Sequence, residues 1–222
     1  MTAAQTPDPA PPVHPADPAQ PAVHLLDDEA PVRDALSFLF RSHGLAVQAY
    51  ADGPELLAAF DSRPPRGCLL LDVRMEPLSG LQVHDALIER GVHLPVIFLS
   101  GHGDIPMAVE ALHRGAFDFV EKPFSDATLV ERVQRALAAD ATHHAAQASV
   151  AQRHARWASL TRREHEVMLR VAAGKLNKII GDELCISVRT VEVHRARVFD
   201  KLGVRSAAEV ATLLAADKAP EA

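Results

Sequence analysis

The chain has 222 residues, 48% of them hydrophobic, and a formal net charge of −6. That length gives room for two ordinary domains of about 100–150 residues each, and the apolar content is ample for packed cores. No apolar run approaches the roughly 20 residues of a membrane span, and no basic-then-apolar leader opens the chain, so the expectation is a cytoplasmic protein without a membrane partner. Its two cysteines, Cys68 and Cys185, fall in different expected domains and are read as free thiols of a reducing compartment. The charge is unevenly spread: Arg153 to Ser206 holds 12 Lys/Arg against 6 Asp/Glu, and the rest holds 11 against 23. An acidic half joined to a basic half suggests a metal or phosphate module coupled to a nucleic-acid binder.

Residues 1–22 carry seven prolines among Ala, Asp and Gln and read as a disordered tail. From Val23 short apolar runs alternate with helix-length amphipathic stretches. Strand 23–26 precedes a helix entered through Pro31, and strand 45–49 a helix entered through Pro54. Strand 68–71 precedes a helix over about 79–90, strand 96–99 one entered near Pro106, and strand 117–120 one over 126–139. Five strands and five helices in this order predict a doubly wound α/β domain over 23–139, with flavodoxin-like strand order. Residues 140–157, rich in Ala, His and Gln without a strong apolar period, read as a linker, in part helical. From 158 to 216 the chain reads as all-α with four helices, followed by a tail over 217–222. Thr161 to Glu164 is a capping box, Gly174 stops the first helix, Cys185-Ile186 turns the chain and Ser187 caps the third. A helix straight after a tight turn is the helix-turn-helix layout.

Four apolar runs stop at polar residues. Leu25-Leu26 ends at Asp27-Asp28, Leu69-Leu70-Leu71 at Asp72, Phe98-Leu99 at Ser100, and Phe119-Val120-Glu121 at Lys122-Pro123. The carboxyl ends of parallel strands share one rim, where such sheets bind ligands. Three carboxylates gathered there repel one another unless a hard cation sits among them, and Mg²⁺ suits an all-oxygen set. Lys122 adds a point cation for a phosphoryl group and the Ser100 hydroxyl a hydrogen bond. A lone Asp-Asp pair after a strand is more commonly just a helix cap, so the weight lies on the set. Ser100, His102 and Asp104 sit within one loop and do not make a hydrolytic triad, whose members converge from separate segments.

The segments 25–33, 71–75, 100–111 and 115–124 resemble the receiver domains of bacterial two-component response regulators, the last two especially the FixJ branch. The resemblance covers about 23–139. It implies that Asp72 is the phosphoacceptor, that Asp27, Asp28, Asp72 and the Arg74 carbonyl hold Mg²⁺, that Ser100 and Phe119 form a switch pair, and that Pro123 is cis. It also implies homodimerisation on phosphorylation, through a face of the fourth helix and fifth strand that includes Met107, Leu112 and Phe119. Glu76 stands where relatives usually have proline, with the proline at Pro77; this places an extra carboxylate beside the site. Ser100 replaces the commoner threonine and keeps the hydrogen bond.

Segments 160–164, 177–180 and 186–198 resemble the LuxR/NarL-type DNA-binding domain. Gly181, where alanine is usual, and Cys185, where glycine is frequent, are expected to loosen its second helix. At 100° per residue Val191, Val198 and Leu202 form a buried stripe on the third helix. The opposite face carries Arg189, Val193, Ala196 and Arg197, flanked by Glu192. An exposed Val193 between arginines suits a major-groove floor, where a methyl meets thymine. Lys178, Arg195, Arg197 and Lys201 are candidates for phosphate contacts. His194 is either a phosphate contact or a packed edge residue.

These readings combine into a transcription regulator, by resemblance an activator, that is phosphorylated by a sensor histidine kinase and binds double-stranded DNA, with RNA polymerase as a further partner. It is not an enzyme beyond its own phosphoryl transfer and dephosphorylation. A DNA-binding regulator with a phosphate-independent receiver scaffold is the alternative. An aspartate-nucleophile phosphatase requires a second carboxylate two residues after the first, where this chain has Arg74.

Overall fold

The computed structural model describes residues 20–62, 65–101 and 105–218, with backbone only at 105–108 and 216–218. Residues 1–19 of the expected tail over 1–22, the last residues 219–222, His102 and Asp104, and the Met107 side chain lie outside the described residues. The chain divides into two compact units, one ending at His144 and the other starting at Ala145.

In the first unit five strands, β1 (Ala22–Leu26), β2 (Val47–Tyr50), β3 (Gly67–Asp72), β4 (Val96–Ser100) and β5 (Asp118–Glu121), form one parallel sheet. Its order is β2-β1-β3-β4-β5, so the chain reverses direction of travel at β1/β3. Every residue of β1, β3 and β4 is buried, because helices cover both faces of the sheet. Alternate residues serve the two cores. Leu26, Leu69, Leu71 and Phe98 pack with α2 (Gly53–Ser62) and α3 (Gly80–Glu89). Leu25, Leu70, Ile97 and Leu99 pack with α1 (Ala30–Ser42) and α5 (Asp126–Ala158). The remaining helix, α4 (Ile105–His113), adds Ala111 to the first core.

Helix α5 runs on through the segment read as a linker, for 33 residues in all. No Gly or Pro interrupts 126–158, and Ala, Gln and Arg favour helix without an apolar stripe. Its buried residues stop at Asp140, which is why the pattern faded there.

The second unit packs α6 (Arg162–Ala172), α7 (Asn177–Leu184), α8 (Val188–Leu202) and α9 (Ala207–Lys218). Val167, Val171, Ile180, Leu184 and Val191 make one cluster; Met168, Val198, Leu202 and Val210 make a second, covered by Trp157. Thr161 and Glu164 form the reciprocal capping box. Gly181, expected to loosen α7, also has a steric role. A Cβ on it would lie 2.8 Å from the Ile186 carbonyl oxygen, so hydrogen lets the turn close tightly on the helix. Cys185 occupies the left-handed region at φ 53°, ψ 47°, where glycine would be unstrained.

Candidate functional site

The rim of the sheet brings together what the sequence spread over 95 positions, from Asp27 to Lys122. Asp27 and Asp28 leave the end of β1, Asp72 ends β3, Ser100 ends β4 and Lys122 follows β5. Asp27 and Ser100 are fully buried, Asp72 nearly so, and Asp28 is exposed. One carboxylate oxygen from each of the three aspartates falls within 4.8 Å of the others. Lys122 Nζ donates to Asp72 Oδ2 at 3.3 Å and to Asp27 Oδ2 at 3.4 Å. Those distances are long for charge-assisted bonds, because one ammonium divides itself between two carboxylates.

Local bonds fix the carboxylates. The Glu29 backbone N–H donates to Asp27 Oδ1 at 2.9 Å, and Arg33 binds the Asp27 carbonyl at 2.8 Å. Burial pushes the Asp72 carboxyl above its ordinary value and Asp27 reinforces this, while Lys122 and a backbone bond from Arg74 oppose it. A crowded, desolvated, all-oxygen set with one shared ammonium fits a hard divalent cation such as Mg²⁺. Sequence reasoning missed Gly80, which positions Asp72. A Cβ there would lie 2.2 Å from the Asp72 carbonyl oxygen, so only glycine lets α3 start against the end of β3. The signal available was a glycine directly after the capping residue Ser79.

Ser100 Oγ donates to the Gly101 carbonyl at 3.2 Å. Phe119 is half-buried and, with Gly101, Val109 and Leu112, lines a cavity of about 450 Å³. Leu112, expected on the same face, is exposed. Lys122–Pro123 is cis, as is Glu76–Pro77, with Glu76 exposed.

On α8, Val191, Val198 and Leu202 are buried, and Arg189, Glu192, Val193, Ala196 and Arg197 are exposed, as is Lys178 on α7. Two candidate phosphate contacts are otherwise engaged. Lys201 Nζ donates to buried Glu164 Oε2 at 2.6 Å and to the Ser159 carbonyl at 2.9 Å. In the free chain it belongs to the α6 capping box. Arg195 donates to Asn177 Oδ1, and its guanidinium lies over the Phe199 ring at 5.6 Å. It braces α7 against α8. His194 is half-buried, with Nδ1 lacking a hydrogen-bond partner among the described residues, which favours the packed edge over the phosphate contact.

Comparison with known proteins agrees with both halves. Residues 23–134 match the response regulator receiver domain, and residues 158–214 match the bacterial regulatory proteins of the luxR family. The chain is 50% identical over 196 residues to the C4-dicarboxylate transport transcriptional regulatory protein DctR of Rhodobacter capsulatus, covering 86% of this chain and 98% of the relative. It is 42% identical over 189 residues to the transcriptional regulatory protein FixJ of Rhizobium meliloti, covering 83% and 90%. Among solved structures, the response regulator StyR superposes with a TM-score of 0.80 at 36% identity, over 89% of this chain and all of that one. Full-length FixJ from B. japonicum superposes with a TM-score of 0.56 at 37% identity, over 88% and 96%. No described helix is long and apolar enough to cross a membrane. The chain belongs to the two-component response regulators of the FixJ/NarL type, transcription regulators in which a receiver domain is joined to a luxR-family DNA-binding domain.

Proposed function

We propose that Asp72 accepts a phosphoryl group from a sensor histidine kinase in the cytoplasm, and that the modified receiver controls sequence-specific binding of duplex DNA by α8, as an activator working with RNA polymerase. The observation that carries this is the convergence of Asp27, Asp28 and Asp72 within 4.8 Å beneath the ammonium of Lys122. Asp27, Asp28, Asp72 and the Arg74 carbonyl would hold Mg²⁺, which neutralises the charge of incoming phosphoryl oxygens. Lys122 binds a phosphoryl oxygen and offsets charge on the modified Asp72. The Ser100 hydroxyl turns from the Gly101 carbonyl to that phosphoryl group, and Phe119 follows into the cavity it already lines. Dimers form on phosphorylation through α4 and β5, where Leu112 is exposed. Glu192, Val193 and Ala196 read base edges, and Lys178, Arg189 and Arg197 bind phosphates.

Intact-mass measurement after acetyl phosphate and Mg²⁺ tests this. Wild type gains the mass of one phosphoryl group and binds its operator more tightly; Asp72→Asn gains none. An undiminished adduct on Asp72→Asn overturns the assignment. A wild type that stays unmodified, yet binds DNA fully, supports the phosphate-independent scaffold instead.

A further inference from the structure

The opposite end of the receiver sheet, where the strands begin, gathers a second set of ligand side chains. Asp140 on α5 is 1% exposed. Its Oδ2 accepts from the Gly67 backbone N–H at 3.1 Å and from Arg66 Nε at 3.2 Å, which ties α5 to the start of β3. Its Oδ1 is buried and has no hydrogen-bond donor among the described residues. His144 Nε2, one helical turn on, stands 3.4 Å from Oδ1 without hydrogen-bond geometry. A buried carboxylate oxygen without a donor forfeits its solvation without replacing it. The arrangement therefore calls for an electrophile at that point.

The 3.4 Å separation is also what two ligands of one tetrahedral ion show. With metal–ligand bonds of about 2.0–2.1 Å, the edge of the tetrahedron is about 3.3–3.4 Å. His143 lies three residues after Asp140 and His144 four, so each neighbours Asp140 on the helix surface. The His143 ring centre is 6.0 Å from that of His144 and 6.3 Å from that of His93, in the segment before β4. Imidazoles on one tetrahedral ion hold their centres about 5–5.5 Å apart, so modest side-chain rotations draw the exposed His143 and His93 in. Among the described residues only the acidic rim has three donor atoms already within 4.8 Å of one another, so this second site closes on its ion.

The geometry points to a zinc-class transition-metal site formed by Asp140, His143, His144 and His93, separate from the acidic rim. Three imidazole nitrogens and one carboxylate oxygen select such an ion over Mg²⁺, which takes oxygen ligands and keeps its waters. Arg66 and the Gly67 N–H fix Oδ2 from behind and leave Oδ1 as the ligand atom, the outer-partner arrangement that orients metal-binding carboxylates. The competing arrangement is a protonated His144 paired with Asp140, which takes up no ion.

Titration of the tag-free full chain with Co²⁺, in saturating Mg²⁺ to fill the acidic rim, distinguishes the two. One equivalent should give the intense visible absorption of a four-coordinate ion, and Zn²⁺ should displace it. His144→Ala and His143→Ala should each weaken uptake by at least about tenfold, while Asp72→Asn leaves it unchanged. Since Asp140→Asn also removes the charge that pairs with Arg66, the surface histidines carry the test. The inference is overturned if no four-coordinate spectrum appears, if His144→Ala binds as wild type does, or if Asp72→Asn abolishes uptake.

Discussion

Each half of the molecule holds a buried carboxylate facing a partly exposed lysine, and the two pairs behave in opposite ways. In the helical half Glu164 is fully provided for: Lys201 donates at 2.6 Å, and the Thr161 backbone N–H donates at 2.8 Å to the same oxygen. Those bonds, the lysine's first, hold its carboxyl down at about 2 despite burial. In the receiver half Asp72 shares Lys122 with Asp27 at 3.3 Å and 3.4 Å, and burial with the neighbouring carboxylate pushes it up. A satisfied carboxylate stabilises the fold, whereas an under-satisfied one in a rim of like charges is poised for a cation and a phosphoryl group. The ratio of donors to carboxylates, more than the residue types, separates structural pair from site.

The largest effect that could break this comparison is on Glu164. Glu164→Gln should destabilise the helical unit by about 2 kcal/mol, the scale of a buried charge-assisted bond. Trp157, the chain's single tryptophan, packs on that unit's core and reports it selectively, so urea melts followed by its fluorescence measure the loss. The pH dependence has a definite sign. Because the folded carboxyl sits at about 2, below its ordinary 4.5, its contribution is complete above about pH 4.5 and disappears as pH falls toward 2. A Gln variant as stable as wild type at neutral pH would remove the structural half of the contrast.

The receiver should answer in the opposite direction and more weakly. Asp72→Asn removes one of the crowded charges, and without Mg²⁺ it should stabilise the receiver by about 1 kcal/mol, as happens where a site is held for function at the expense of stability. Amide hydrogen exchange in β3 and β4 measures it. Added Mg²⁺ should narrow the gap, because the ion stabilises wild type by binding its folded state. A variant less stable than wild type in metal-free buffer would mean that Asp72 is as well satisfied as Glu164.

The sequence was most legible where burial is two-sided. β1, β3 and β4 read as apolar runs within a residue of their ends, because helices on both faces exclude polar residues until the rim. Asp27, Asp72 and Ser100 were legible for the same reason, each being the first polar position after such a run. Helix α5 beyond Asp140 was not, since a stretch with no buried residue leaves no apolar period to find. Lys201, the one lysine of α8, was not legible as a structural partner, because its charge alone places it at the solvent. It stands three residues after buried Val198, beside the buried stripe rather than opposite it, within reach of the capping-box glutamate. The steric role of Gly181 was not legible either, because an added Cβ's 2.8 Å approach to a carbonyl of the following turn is not revealed by composition.

The subtlest expected change, about one unit of salt slope, concerns what Lys201 and Arg197 do on DNA. Lys201 spends its ammonium on Glu164 and Ser159, whereas Arg197 is exposed on the α8 face that also bears Val193. Removing one cation that binds a DNA phosphate should flatten the dependence of log affinity on log salt by about one unit. Arg197→Ala should therefore lower that slope on every sequence, while Lys201→Met should leave it near the wild-type value, at a temperature where both variants are folded by Trp157 fluorescence. Val193→Ala should leave the slope alone and relax preference at one base pair, at a cost of about 1–3 kcal/mol there. Binding-site selection at two salt concentrations separates these outcomes. A lower slope for Lys201→Met would show that DNA draws this lysine away from Glu164, so that the structural pair is itself opened on binding and the contrast between the two halves holds only in the free protein.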